Sequence, residues 1–567
     1  MFYTQRRGTL NSRTRRGTQE SLYCAAMWKC ALLLSVSTVL PAQDLSPRFD
    51  AIVKARADAS QFMGNVLVAK GDRVLFEKSY GSADLEWKVA NTAESKFRIG
   101  SVTKQFTAAC ILLLEDRGKL KTDDLVSKYM PNAPAAWAKI TIYHLLTHTS
   151  GIPNFTNFPE YEQFQTKPTT PEKLIALFRD KPLDFEPGSK WSYSNSGYEV
   201  LGYMIEKVSG QTYQQFLDEN ILKPLHMADS GYDSNSRVIP EHAYGYAPGP
   251  RGMTVAGYVD MTVPYSAGAL YSTARDLLKW ERGLFGGQLL RPASLEKMIT
   301  PFKNDYGCGL SISTVNGRKR IEHAGGIQGF NAELVYWPEE QLMVVILANL
   351  NGHAPDSIAG DLAATVHGEK VTLPSERKEI TLTPEQRKPF VGRYSLGSEV
   401  NVDITLSADQ LQTQMTGQPR FPMFADSPTT FFLKVVDAQV RFDKDASGQV
   451  KQLTIHQNGR DAIARKISDT VPTPPQHGEI SVSADKLKDY VGTYALGPGF
   501  ILTIALDGDH LEAQATNQPK LPIFAEAPDK FFYKAVEAHL DFHRDASATV
   551  VEVTLHQGGR SITGKKQ

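Results

Sequence analysis

Cysteine is scarce in this chain: there are four among 567 residues, at positions 24, 30, 110 and 308. Neither Cys110 nor Cys308 stands in a Cys-x-x-Cys or Cys/His ligand spacing, which excludes a zinc-held scaffold and a dithiol redox site. Cys110 falls in an apolar segment and is expected in the core, with a bridge to Cys308 left open. An excess of either charge is missing as well. Lysine plus arginine and aspartate plus glutamate number 62 each, so no global field draws in nucleic acid or an anionic membrane, and the expected partner is a small-molecule or peptide substrate. Also missing is a hydrophobic run long enough to span a bilayer. The apolar stretch near the N-terminus, Cys30 to Leu40, is shorter than the roughly 18 to 20 residues of a spanning helix, so no stable membrane span is expected. Arginines and Lys29 precede it and Pro41-Ala42 follows, the pattern of a signal peptide over residues 1–42, complete already from Met27. Periplasmic or secreted localisation follows from that reading.

What is present is ordinary globular composition, 41% apolar and 22% charged, with length for two to four domains. Composition changes near Val371 to Pro384 and again at Ser468 to Pro475, marking two linkers. A repeat lies between and after them. Phe390-Val-Gly-Arg-Tyr-Ser-Leu-Gly397 aligns with Tyr490-Val-Gly-Thr-Tyr-Ala-Leu-Gly497, and His456 to Arg460 with His556 to Arg560, at a constant offset of 100. Both copies alternate apolar and polar residues without helical periodicity, which predicts two small antiparallel β-barrels over 385–467 and 480–567. They carry no Ser/Lys/Tyr/His set of their own, so their expected contribution is shape or access. Residues 43–371 mix strands at both ends (65–70, 73–77, 319–323, 332–337, 342–349) with helices between, an α+β pattern of an antiparallel sheet flanked by helices.

The chemistry concentrates in that first part. Ser101 and Lys104 lie three apart at the start of a predicted helix, on one face, so an amine can act on a hydroxyl proton. The same spacing recurs at Ser294/Lys297, Ser375/Lys378 and Ser483/Lys486, but only the first copy is followed by an apolar body, Ala108 to Leu114, closed by Gly118. Tyr193-Ser194-Asn195 sits in a polar loop before a helix predicted over Gly197 to Val208. His323-Ala324-Gly325-Gly326 is read as ending a strand and turning, with backbone N–H groups that the glycines leave open. His144 and His148 are spaced i, i+4, but no His-Glu-x-x-His glutamate accompanies them; structural roles, no metal and no cofactor are expected.

In this order the motifs Ser101/Lys104, Tyr193/Asn195 and His323/Gly325 resemble those of the penicillin-recognising serine hydrolases: class C β-lactamases, DD-peptidases, esterases and D-aminopeptidases. Leu145 to Gly151, Pro187 to Asn195 and Ala267 to Ala274 extend the likeness, and the paired barrels resemble those of D-aminopeptidase-type members. The resemblance implies an acyl-enzyme on Ser101, with Lys104 or Tyr193 as base. It implies Asn195, His323 and Gly325 as substrate-binding residues and the backbone N–H groups of Ser101 and Gly326 as oxyanion hole. Where class C β-lactamases carry a third-motif lysine this chain has His323, mostly neutral at pH 7, which favours peptides or esters over β-lactams. An esterase or weak β-lactamase on the same site, and a penicillin-binding receptor without turnover, are the competing readings.

Overall fold

A computed structural model describes residues 44–567 apart from 250–251, 398–399, 408, 437, 458–459, 473–477, 498–499, 517–519 and 558–559. The leader read over residues 1–42 lies outside the described residues. Helix α1 (Ser46–Asp58) is followed by strands β1 (Gly64–Lys70) and β2 (Arg73–Tyr80), which turn at Gly71-Asp72. Helices α2 (Thr103–Asp116), α3 (Asn195–Ser209) and α4 (Ala274–Phe285) come next, then α5 (Pro292–Met298). Strands β3 (Ser311–Val315), β4 (Arg318–Ile327), β5 (Phe330–Trp337) and β6 (Leu342–Ala348) and helix α6 (Ala354–Val366) close this part.

The strands form one antiparallel six-stranded sheet in the order β3-β4-β5-β6-β1-β2, so the first hairpin is joined to the last strands across the β6–β1 pair. Central strands covered on both faces are apolar throughout, and every residue of β6 is buried. The two-residue period divides β1 between two cores. Val66 and Val68 pack with Phe49, Ile52 and Ile358 of α1 and α6; Leu67 and Ala69 face the larger cluster built around α2, α3 and α4. A helix apolar all round must be buried all round, and α2 is: all its residues from Thr103 to Leu114 are inaccessible or nearly so. Cys110 and Cys308 are both buried free thiols, which closes the open question of a bridge; burial pushes the Cys308 thiol up to about 12.

Two local readings need correction. His323 to Gly326 does not turn: β4 continues through Ile327, pairing Gly325 with Ala332 and Gly326 with Asn331. The glycines serve close approach instead, because β3 pairs only as far as Glu322 and the rest of that edge faces the 3₁₀ turn Gly100–Val102. A Cβ on Gly325 would lie 1.9 Å from the Ile99 carbonyl oxygen. Helical turns also open each repeat, Pro384–Arg387 and Ala484–Leu487. The second repeat is a closed barrel of eight strands. In the first, the strand corresponding to Leu521–Ala527 is broken into Arg420–Pro422 and Phe424–Ala425, and the nine-stranded sheet stops short of closure. In both, a buried tyrosine hydroxyl ties back four residues, from Tyr394 to the Phe390 carbonyl and from Tyr494 to the Tyr490 carbonyl, each at 2.7 Å.

Gly325→Ala should destabilise the first part by about 1–3 kcal/mol, the usual scale of overpacking. In Gly326→Ala the added methyl meets only the Asn331 amide nitrogen at 3.4 Å, and that variant should stay within about 0.5 kcal/mol of the parent. Urea unfolding of the two variants side by side checks both values.

Candidate active site

The 3₁₀ turn that carries Ser101 runs directly into α2, so Lys104 occupies the first turn of a fully buried helix. Its amine has no access to solvent and meets three oxygens: Ser101 Oγ at 3.1 Å, Asn195 Oδ1 at 2.8 Å and the Ala267 carbonyl at 2.8 Å. The rings of Tyr193 and Tyr198 lie 4.9 and 5.5 Å from it. Burial disfavours the ammonium form and brings the Lys104 pKa down to about 7, against a smaller upward pull from Glu199. An amine near neutrality has two hydrogens to donate and one lone pair; with Asn195 Oδ1 and Ala267 O taking the hydrogens, the lone pair is left for Ser101.

Tyr193 stands one residue before the N-cap of α3, which begins at Asn195 and not two residues later as the sequence suggests. The Ser192 N–H donates to the His148 carbonyl at 3.0 Å and the Ser194 N–H to His148 Nδ1 at 3.2 Å, so the loop holding His148 fixes the Tyr193 segment. The two rings lie 4.3 Å apart. Burial raises the Tyr193 phenol well above its ordinary range, and the Ser101 hydroxyl offsets this only partly. The Asn195 amide is oriented at both ends, its Nδ2 donating to Thr156 Oγ1 at 3.2 Å. His144 and His148 are parted by function: His144 Nδ1 accepts the Thr141 N–H in a capping box.

His323 is 7% exposed and both ring nitrogens are engaged within the protein. With its Nδ1–H donated to the Ala324 carbonyl at 2.6 Å, its Nε2 accepts from the Tyr306 hydroxyl at 2.9 Å. Burial and the Lys104 charge lower its pKa to about 3, so the ring is neutral. Gly325 and Gly326 pass beside the Ser101 turn, where a Cβ on Gly100 would come within 2.8 Å of the Gly326 nitrogen. A cavity of about 430 Å³ opens over this point, and Ser101, Asn195 and Gly326 line it together with Phe155, Tyr161 and Glu199. Its lining ends at Asn351, so among the described residues none from the repeats lines it. Tyr193, which lies against the Ser101 hydroxyl, and the buried His323 are not among the lining residues.

Sequence reasoning missed Tyr306, the Ala267 carbonyl as amine acceptor, and Glu199. Only Glu199 left a signal, its i, i+4 spacing from Asn195 on one helix. The other Ser-x-x-Lys copies are structural where contacts are seen: Ser294 Oγ donates to Asp116 at 2.7 Å and Lys297 Nζ to Glu115 at 2.7 Å, tying α5 to the end of α2.

Residues 49–391 match the family described as beta-lactamase. The chain belongs to the beta-lactamase family, a family of serine hydrolases. Residues 376–466 and 476–566 each match a domain of unknown function (DUF3471). Among relatives of this beta-lactamase-family chain, penicillin-binding protein 4* of Bacillus subtilis is 27% identical over 452 residues, 74% of this chain and 99% of that protein. A penicillin-binding protein from Bacillus halodurans, 28% identical, superposes with a TM-score of 0.50 over 56% of this chain and 98% of its own. The octameric penicillin-binding protein homologue from Pyrococcus abyssi, 26% identical, gives 0.53 over 74% and 98%.

A cationic His323 near pKa 6.5 would favour acidic substrates at low pH, and that preference would fade as pH rose through 6.5. With the ring titrating near 3, the ratio of turnover of an anionic cephalosporin to that of a neutral ester should stay flat from pH 5 to 8. Steady-state kinetics across that range gives the ratio.

Proposed function

We propose that this protein is an exported serine hydrolase that acts on peptides or esters through an acyl-enzyme on Ser101, in the manner of D-aminopeptidases. The observation that carries the reading is the Lys104 amine, desolvated to a pKa of about 7 with Ser101 Oγ 3.1 Å away. In the proposed sequence the neutral Lys104 amine takes the Ser101 proton as Oγ attacks the substrate carbonyl. Tyr193, whose phenol burial keeps protonated, is the poorer base and suits the donor that protonates the leaving group. The backbone N–H groups of Ser101 and Gly326 stabilise the oxyanion, and Asn195 borders the substrate while orienting Lys104. His323 and Gly325 act at one remove, His323 through its bond to Tyr306 and Gly325 by letting β4 approach the Ser101 turn.

The neutral His323 disfavours recognition of a substrate carboxylate, which argues against β-lactams and C-terminal carboxylates as preferred ligands. Export rests on the leader pattern of residues 1–42, and no helix among the described residues is long and apolar enough to cross a membrane.

A fluorophosphonate probe should label the peptide that carries Ser101 and spare Ser101→Ala. The labelling rate should rise about tenfold per pH unit below pH 7 and level off above it, because only the neutral amine accepts the proton. Lys104→Ala should lower ester turnover by roughly two to four powers of ten. Labelling that survives Ser101→Ala, measured by mass spectrometry, contradicts the assignment.

A further inference from the structure

One group in the Ser101 cavity has no place in this chemistry. Glu199 lies four residues beyond Asn195 on α3, on the same helix face and about 6 Å further along the axis. It lines the cavity with Ser101 yet is wholly inaccessible, and neither carboxyl oxygen makes a hydrogen bond. The Ser266 N–H and hydroxyl come near enough to favour its ionised form without reaching hydrogen-bond geometry. Lys104 acts on it through its field only, since the three oxygens around the amine belong to Ser101, Asn195 and Ala267. A buried acid left without a partner is costly and uncommon. It is understandable where a ligand supplies the partner.

The remaining lining selects the sign of that ligand. Phe155 and Tyr161 bring aromatic rings to the lining, a residue type whose ring faces attract cations, and no lysine or arginine is among the lining residues. We propose that Glu199 is a specificity-determining residue that receives a primary ammonium group of the substrate, so that the preferred substrates carry a free amine close to the scissile carbonyl. This rests on the acyl-enzyme reading above and narrows its substrate class.

A proton balance follows. Burial holds the free Glu199 carboxyl protonated well above the usual carboxylate range; the ionisable groups around it are Lys104 and the phenols of Tyr161, Tyr213, Tyr232 and Tyr265. When an ammonium ion binds, the Glu199 O–H bond breaks, the proton leaves to solvent, and the carboxylate pairs with the cation.

The test uses the full chain and both enantiomers of alanine p-nitroanilide with their N-acetyl counterparts. The ratio of kcat/KM for the free amine to that for the N-acetyl form should fall about 100-fold in Glu199→Gln, the scale of removing one partner of a buried charge pair. Glu199→Asp, which keeps the carboxyl but draws it back, should give an intermediate ratio. Equal losses on both substrates would mean a structural role and overturn the proposal. Calorimetry with alaninamide in buffers of different ionisation enthalpy reads the site without turnover: the parent should bind alaninamide at least about tenfold more tightly than Glu199→Gln does and release more protons on binding. Failure of Ser101 to react with fluorophosphonate would sink the acyl-enzyme reading while leaving this binding measurement intact; alaninamide that does not bind, or binds the parent and Glu199→Gln equally, sinks the ammonium site.

Discussion

The burial of the Lys104 amine is the constraint on which the active-site region depends. Moving an ammonium ion out of water costs several kcal/mol even after the protein relaxes, so the amine survives there only with its pKa depressed and its hydrogens satisfied. Each requirement recruits a different stretch of chain. The apolar body of α2 excludes water, the N-terminus of α3 brings Asn195 Oδ1, and the segment before Ala269 brings the Ala267 carbonyl. The first motif therefore works only once the second motif and a backbone carbonyl more than 160 residues away have closed over it.

A second layer holds those pieces still. His148 accepts the Ser194 N–H and lies tilted against Tyr193 at 4.3 Å and Tyr306 at 4.8 Å, while Tyr306 donates to His323. His148, Tyr306 and His323 form a buried layer of rings next to the reacting groups. In a layer of this kind a histidine is a neutral hydrogen-bonding spacer, and the low pKa of His323 is a consequence of its position. The acid that lines the substrate cavity is Glu199, whose carboxyl burial keeps protonated in the free protein. The site thus holds one buried acid and one weakly basic amine, the pair on which the proposed ammonium recognition rests.

The repeats follow a separate logic. Their alternating strands bury Tyr394 and Tyr494 at equivalent places, and both copies tie the hydroxyl back by four residues. The linker before the first repeat is tied to α1 through Arg48 and Glu376, neither of which lines the Ser101 cavity. The family match over 49–391 and the repeat matches over 376–466 and 476–566 overlap at 376–391, where Leu382 and Phe390 pack into the core of the first repeat.

Period and composition alone determined a good deal: the strand pairs at both ends of the first part, the buried character of α2, the start of α3 to within two residues, and the existence of two homologous β-domains. These features depend on local spacing, which a sequence displays directly. The sequence also singled out one Ser-x-x-Lys copy among four, because only there does an apolar helix body follow. What it could not display is which groups meet. The continuation of β4 past Gly326, the engagement of both His323 nitrogens by Tyr306 and Ala324, and the unpartnered carboxyl of Glu199 all arise from contacts between segments far apart in the chain. The failure of the first repeat to close is likewise a matter of long-range strand pairing. Hydrogen-bond partnership and desolvation are properties of a neighbourhood, and only the tertiary structure assembles that neighbourhood.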